Sequence, residues 1–444
     1  MDYIVHTPCG DVQGCPGKRA GTVAYKGIRY ATAGRWEYPK QVVSWEGVYD
    51  ATRYGACSYQ LRAFYNEEEN LKKYFYYNEF RKGETYQYSE DCLFLNIFTP
   101  EKAEGKLPVL VYIHGGGFTG GCGHEKHFDE PVWPTKGVIG VTLNYRLGPM
   151  GFLCLKELKE EAGITGNYGL FDQMTAIKWV KDNISAFGGD PENITIMGQS
   201  AGAASVQLQS CSPLTKGLFQ KAVMSSGCGM GNMLACTEEK STAFWQQIMA
   251  RCGCETLEQF RALSVEKLFE AWQTGKKEIK GGAVATFPTQ DGQFSVANAT
   301  THNIPYMAGS TSEDMAPPIL QNMTKKWIAK QEKPSYTWYF NRRLPGDNNG
   351  AWHSADLWYW FGTLSNCWRP MEQKDYALSE EMVSYLCQFV KVGNPNISGE
   401  LPTWIASDKG QNRVMMFGEQ PTWMGKPNML KMIYTMFTNK AVGE

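Results

Sequence analysis

Two short glycine-framed segments carry the residues best suited to chemistry. Gly198-Gln199-Ser200-Ala201-Gly202 follows the apolar run 194–197 and opens a helical stretch beginning at Ala201. A serine on so sharp a strand-to-helix turn is pushed outward on a strained backbone, and glycines two before and two after let strand and helix approach. The helix N-terminus also favours negative charge developing beside it. His114-Gly115-Gly116-Gly117-Phe118 directly follows the run 107–113. Three glycines let backbone N–H groups turn toward one point, which is what a tetrahedral oxyanion requires. The donors expected are the N–H groups of Gly116, Gly117 and Ala201. A phosphate loop is the weaker reading, because no Gly-Lys-Ser/Thr follows. Together the two segments suit acyl transfer through Ser200 as nucleophile.

Such a serine needs a base, and the chain has six histidines, at positions 6, 114, 124, 127, 302 and 353. Nucleophiles on a strand–turn–helix occur in the α/β-hydrolase fold, where serine, acid and histidine follow in that chain order. The acid should sit just after a strand, and Gly309-Ser310-Thr311-Ser312-Glu313-Asp314 supplies two carboxylates there. Adjacent side chains point apart, so one of the two serves; pattern alone does not separate Glu313 from Asp314. His302 precedes this acid and His353 follows it, so His353 is the expected base. His114, at a strand end, reads as structural. Phe118 and Trp352 are candidates to line the substrate pocket, although the tryptophans at 327, 338, 352, 358, 360 and 368 read mostly as core.

The elements that must hold these residues are legible as short, nearly continuous β-branched runs at 107–113, 138–143 and 194–197, of the kind that fills a sheet covered on both faces. Helical spacing over 172–184 falls between them. The order strand, helix, strand, helix predicts an α/β protein with a central, mostly parallel sheet flanked by helices. The reading is one domain over residues 1–444, with an antiparallel hairpin region in 1–60 and helical cap insertions at roughly 240–300 and 315–400. A late strand is expected within 404–417 and a final helix over 428–437.

Bulk properties exclude other classes. Of 444 residues, 43% are hydrophobic and 20% charged, with 44 basic against 45 acidic side chains. No basic stripe supports nucleic-acid binding. No uninterrupted apolar stretch reaches membrane-span length, and the first residues lack a leader pattern. Thirteen cysteines, an odd count, then read as reduced thiols in a cytoplasmic protein. Cys122-Gly123-His124-Glu125-Lys126-His127 invites a metal reading, but its histidines are three apart in a glycine-rich loop, not on a helix; the plainer reading is a pocket wall or surface loop. No metal or organic cofactor is expected, and the expected partner is a small-molecule ester.

With these residues assembled, the chain resembles the type-B carboxylesterase/lipase family, which includes bacterial para-nitrobenzyl esterases and the cholinesterases. The likeness is strongest from Glu90 to Gly227: Glu90-Asp91-Cys92-Leu93-Phe94-Leu95-Asn96, Asn144-Tyr145-Arg146, Gly166-Asn167-Tyr168-Gly169-Leu170-Phe171-Asp172-Gln173 and Phe187-Gly188-Gly189-Asp190-Pro191 match its signatures. The resemblance implies an α/β-hydrolase fold, serine carboxylesterase activity and a Ser200–Asp314–His353 triad, since the family pattern of glycine, four residues, then acid lands on Asp314. It also implies ion pairs Arg29–Glu90 and Arg146–Asp172, a buried Ser226 behind the triad, and a bridge between Cys57 and Cys92 that a reducing compartment would leave open. Asp314 and His353 are only 39 positions apart, fewer than in typical members, which implies trimmed covering helices and a more open gorge. The alternatives in view are cleavage of plant-polysaccharide acyl esters, thioesters, lactones or amides, or a non-catalytic binding module such as the neuroligins, which resemble the same family but for which a missing serine or histidine would be expected.

Overall fold

Residues 107–113 (Leu-Pro-Val-Leu-Val-Tyr-Ile) leave no polar side chain to face water on either side, and the chain around them folds accordingly. A computed structural model describes residues 3–70, 74–230, 236–296, 299–399, 401–408, 410 and 413–438. Its main sheet contains, in chain order, β1 (Cys15–Pro16), β2 (Thr22–Arg29), β3 (Phe94–Pro100), β4 (Leu107–Ile113), β5 (Ile139–Leu143), β6 (Gly189–Gln199), β7 (Lys221–Ser225), β8 (Tyr306–Thr311), β9 (Tyr336–Phe340), β10 (Val414–Phe417) and β11 (Trp423–Gly425). The spatial order is β11-β10-β9-β8-β7-β6-β4-β5-β3-β2-β1. From β5 to β10 every pairing is parallel; β3, β2, β1 and β11 join antiparallel at the two edges.

Parallel registry matters to the site because it aligns strand ends. Ile113 stands opposite Leu143 on one side and Gly198 on the other. Gln199 stands opposite Ser225, and Ser225 opposite Gly309. The segments leaving β4, β6, β7 and β8 therefore emerge along one edge, at the carboxyl ends where open α/β sheets place their ligands.

Both faces are covered. Helices Tyr168–Asn183 and Ala201–Cys211 pack one face with Val111, Ile113, Ile196, Ala222 and Ala308 beneath them. Helix Gln373–Val392 covers the other, where Trp338, Trp352, Trp358 and Trp360 are fully buried with Phe361, Phe389 and Phe417. Each aromatic ring there buries on the order of 150–250 Å2, so the tryptophan cluster is core. A third cluster joins Glu238–Arg251 and Val265–Glu278 to Met150 and Leu155.

Two regional expectations need correction. The span 315–400 is not wholly helical: between helices Pro317–Ile328 and Leu357–Phe361 it contributes β9 to the main sheet. Tyr336-Thr337-Trp338-Tyr339-Phe340 has the aromatic and β-branched content that fits a pleated, buried surface. Within 240–300, helix ends at Glu278, followed by one short 3₁₀ turn at Val284–Thr286. The late strand covers only Val414–Phe417, and the last helix runs Met429–Thr438. Among the described residues, no helix is long and apolar enough to cross a membrane.

Candidate active site

Ser200 occupies the bend between β6 and the helix Ala201–Cys211, at φ 58°, ψ −125°. A non-glycine residue there stores about 1–3 kcal/mol of strain and persists only where its surroundings impose it. They do. The Ser200 N–H donates to Ser225 O at 2.9 Å, fixing the turn to the end of β7. A Cβ at Gly198 would collide with the Gly202 carbonyl, and one at Gly202 with the carbonyl of Ile113. Both positions must be glycine for strand and helix to meet this closely.

The turn after β4 approaches from the neighbouring strand. Gly116 lies at φ 105° and Gly117 at φ 63°. The Gly116 carbonyl accepts from Thr119 N and Gly120 N, both at 3.0 Å, which closes the turn. Among the described residues, no protein acceptor takes the N–H of Gly116, Gly117 or Ala201. His114 is buried, holds its Nδ1 2.8 Å from the Gly115 carbonyl and stacks on Tyr145 at 4.5 Å. Burial holds its imidazole below the usual histidine range. It supports the turn.

Asp314 and His353 come together as the chain order predicts. His353 Nδ1 is 2.5 Å from Asp314 Oδ1. The same carboxylate accepts from Ser226 Oγ at 2.6 Å, Thr311 N at 3.1 Å and Met315 N at 2.8 Å. Burial alone would raise this carboxyl, but the His353 imidazole, Ser226 and the Thr311 amide hold it below the usual aspartate value. Glu313 faces elsewhere: its Oε2 accepts from Ala351 N at 2.9 Å, its Oε1 lies 3.6 Å from Arg343, and its N–H donates to Ala351 O at 3.1 Å. The bridge between Glu313 and Trp352 brings His353 beside Asp314. His302 lies apart, with Nε2 3.0 Å from the Ser212 carbonyl.

Two neighbours escaped the sequence reading. Gln199 Nε2 lies 3.2 Å from His353 Nε2. With the amide donating, Nε2 accepts and Nδ1–H donates to Asp314, which is the tautomer a general base needs. Asp356, three residues after His353, is fully buried; its Oδ2 accepts from Ser225 Oγ at 2.6 Å and Trp360 Nε1 at 3.1 Å, while Oδ1 has no partner among the described residues. Burial, with the nearby Asp314 charge, pushes it up to about 6. Gln199 was visible inside the serine motif. Asp356 carried no signal beyond a carboxylate in an aromatic run.

Ser200, His353 and Gly115–Gly117 line one open cavity of about 560 Å3, with Leu61, Tyr65, Tyr76, Phe80 and Phe128 supplying apolar wall and Arg62, Arg81, Glu67 and Glu125 a charged side. Ser200 and His353 are half-buried. Phe118 and Trp352 are corrections: neither lines this cavity. Phe118 is fully buried against Phe152 and Phe287, and Trp352 against Phe75 and Phe80. In their place Phe80 and Tyr76, from the helix Tyr74–Phe80, form the aromatic wall.

The implied ion pairs divide. Arg146 and Asp172 are buried and joined by bonds of 2.9 and 2.7 Å, with Arg146 also donating to Glu37 O at 2.7 Å. Arg29 pairs with Asp91, not Glu90, and Glu90 takes Arg35 at 2.9 Å. One step along the chain swaps the partner because Asp91, not Glu90, faces Arg29. Cys57 and Cys92 are both free thiols.

A family model described as the Carboxylesterase family matches residues 1–333 and 315–435. The chain belongs to the carboxylesterase family. Among carboxylesterase-family relatives, the para-nitrobenzyl esterase of Bacillus subtilis (strain 168) is 37% identical over 325 residues, 70% of this chain and 63% of its own length. The bile salt-activated lipase of Homo sapiens is 35% identical over 341 residues, 70% of this chain and 42% of its own. A solved PNB esterase superposes with a TM-score of 0.79 at 26% identity, covering 98% of this chain and 100% of that one. The aligned stretches thus span 42–63% of these curated relatives' own lengths, less than two-thirds of each.

Proposed function

We propose that the protein hydrolyses carboxylic esters of small molecules through an acyl-enzyme, with Ser200 as nucleophile, His353 as general base and then acid, and Asp314 holding the imidazole. The observation that carries this is the 2.5 Å contact between His353 Nδ1 and Asp314, in the same cavity wall as Ser200 and the unpartnered amides of the glycine turn. His353 Nε2 takes the Ser200 proton as Oγ bonds the ester carbonyl carbon. For this the hydroxyl replaces the Gln199 amide at Nε2. The oxyanion is held by Gly116, Gly117 and Ala201 N–H. The carbon–alkoxy bond then breaks, His353 passes its proton to the leaving alcohol, and water repeats the sequence on the acyl group.

The names of the relatives, para-nitrobenzyl esterase and bile salt-activated lipase among them, support an ester substrate. The chain reads as one catalytic unit, and thirteen unpaired cysteines support a reducing, cytoplasmic setting. The test is hydrolysis of para-nitrophenyl acetate and butyrate together with labelling by a fluorescent phosphonate. Wild type should turn over and label with one equivalent, and Ser200→Ala should do neither. Labelling that persists in Ser200→Ala, or a wild type inert toward every ester offered, overturns the assignment.

A further inference from the structure

We propose that Cys57, Cys122 and His124 form a binding site for one thiophilic metal ion of the Zn2+ type, separate from the catalytic residues. The ligand atoms of the three residues all lie within 4.8 Å of one another, and Cys57 Sγ is 3.7 Å from His124 Nε2. Both cysteines are fully buried. The Cys57 thiol therefore faces Cys122 and His124 rather than a bridge to Cys92. His124 is held in place by Tyr54, stacked at 4.5 Å and 7°, with Tyr86 against the ring at 5.5 Å. His127, three residues on, takes no part: it stacks on Phe80 at 3.7 Å.

Two thiolates and an imidazole select soft or borderline ions over Mg2+ or Ca2+. Zn–S bonds of about 2.3 Å and Zn–N bonds of about 2.0 Å in a tetrahedron, with a water as fourth donor, place donors roughly 3.5–3.8 Å apart, so the Cys57–His124 pair is already at that spacing and no separation need close by more than about an ångström. Charge also balances. Arg62 reaches Cys122 Sγ at 3.9 Å but is paired with Glu125 at 2.5 Å, and Arg81 with Glu67 at 2.6 Å. Two thiolates plus one divalent cation then add no net charge to the interior, which an unpaired buried charge would make costly.

The ion would clamp the oxyanion turn. Cys122 follows Gly121, whose N–H and carbonyl are both taken by Gln60, three residues after Cys57, at 2.8 and 3.0 Å. Gly120 closes the turn on Gly116. A metal joining Cys57 to Cys122 therefore ties both strands of that support, and it should raise the melting temperature.

The full chain, reduced and stripped by chelator, is titrated with Co2+ and then Zn2+. One equivalent of Co2+ should give thiolate-to-metal charge-transfer absorption with tetrahedral visible bands, displaced by Zn2+. Cys57→Ser, Cys122→Ser and His124→Asn should each weaken binding more than about tenfold, whereas Cys254→Ser and His353→Ala should bind as wild type. In wild type alone, so that folding of variants is not at issue, Zn2+ should protect Cys57 and Cys122 from iodoacetamide, read by peptide mass spectrometry. No stoichiometric thiolate band in reduced wild type, a band undiminished in both cysteine variants, or no protection of either thiol would overturn the proposal.

Discussion

Replacing Asp314 by Asn tests the acid while barely changing shape. The carboxylate accepts from four donors: His353 Nδ1 and Met315 N on Oδ1, Ser226 Oγ and Thr311 N on Oδ2. An amide has one acceptor edge, so a backbone N–H is orphaned either way, costing about 1–3 kcal/mol of stability. If NH2 turns to His353, the imidazole must accept on Nδ1 and carry its proton on Nε2, where it cannot receive the Ser200 proton. That error costs about 10⁴-fold in turnover, roughly 5.4 kcal/mol. If the amide oxygen faces His353 instead, the tautomer survives but the charge opposing imidazolium is gone. Asp314→Asn should therefore lose about 10³- to 10⁴-fold in kcat, ~4–5.4 kcal/mol, on para-nitrophenyl butyrate, with phosphonate labelling slowed in step. Glu313→Gln is the control. It keeps an oxygen for Ala351 N and loses only a 3.6 Å pair with the half-exposed Arg343, so kcat should stay within about threefold. An Asp314→Asn enzyme within tenfold of wild type, or a Glu313→Gln enzyme that loses a hundredfold, would refute the assignment.

Other outcomes follow from single features. Gly116→Ala puts a methyl into the Gly120 carbonyl at φ 105°, displacing an oxyanion donor; kcat should fall about 10²- to 10³-fold with KM less affected. Asp356, raised to about 6 by burial and the Asp314 charge, binds its proton more tightly folded than unfolded, so its penalty grows as pH climbs from about 4 to 6 and is complete above that. Asp356→Asn should melt higher than wild type at pH 8, by up to about 3 kcal/mol of stability, with the gain vanishing at pH 4. His127, held neutral down to about 3 by burial, works in the opposite sense: stability is present above about 6.5 and is lost as pH falls toward 3. His127→Phe should remove this loss, worth about 2 kcal/mol at pH 5, seen as a flatter acid limb in denaturant melts.

Local chemistry made much of this molecule readable. The bend at Ser200, the glycine turn and the short β-branched runs are rules of neighbouring residues, and each declares itself within a few positions. Asp314 over Glu313 came only with the family resemblance, whose pattern of glycine, four residues, then acid lands on Asp314; the residues by themselves left the two open. What was not readable depended on contacts distant in sequence. Trp352 stands beside the base, yet its bulk goes to Phe75 and Phe80, and nothing in its neighbours says which way it turns. Strand β9 was masked because aromatic residues fit a buried helix as well as a buried strand. The Arg29 partner and the thiol facing Cys57 were fixed by where loops from residues 90–92 and 122–124 settle, which no periodicity encodes.

The bridge between Glu313 and Trp352 carries one more implication. It clasps the two ends of a long excursion beside Asp314 and His353; within that excursion helix Pro317–Ile328 and the inner strand β9 belong to the fold, and the connections flanking them are the parts left free to vary. Lengthening such a closed excursion costs entropy only as the logarithm of its length. Segments that reshape the rim could be exchanged there, by evolution or by hand, while the reacting side chains keep their spacing.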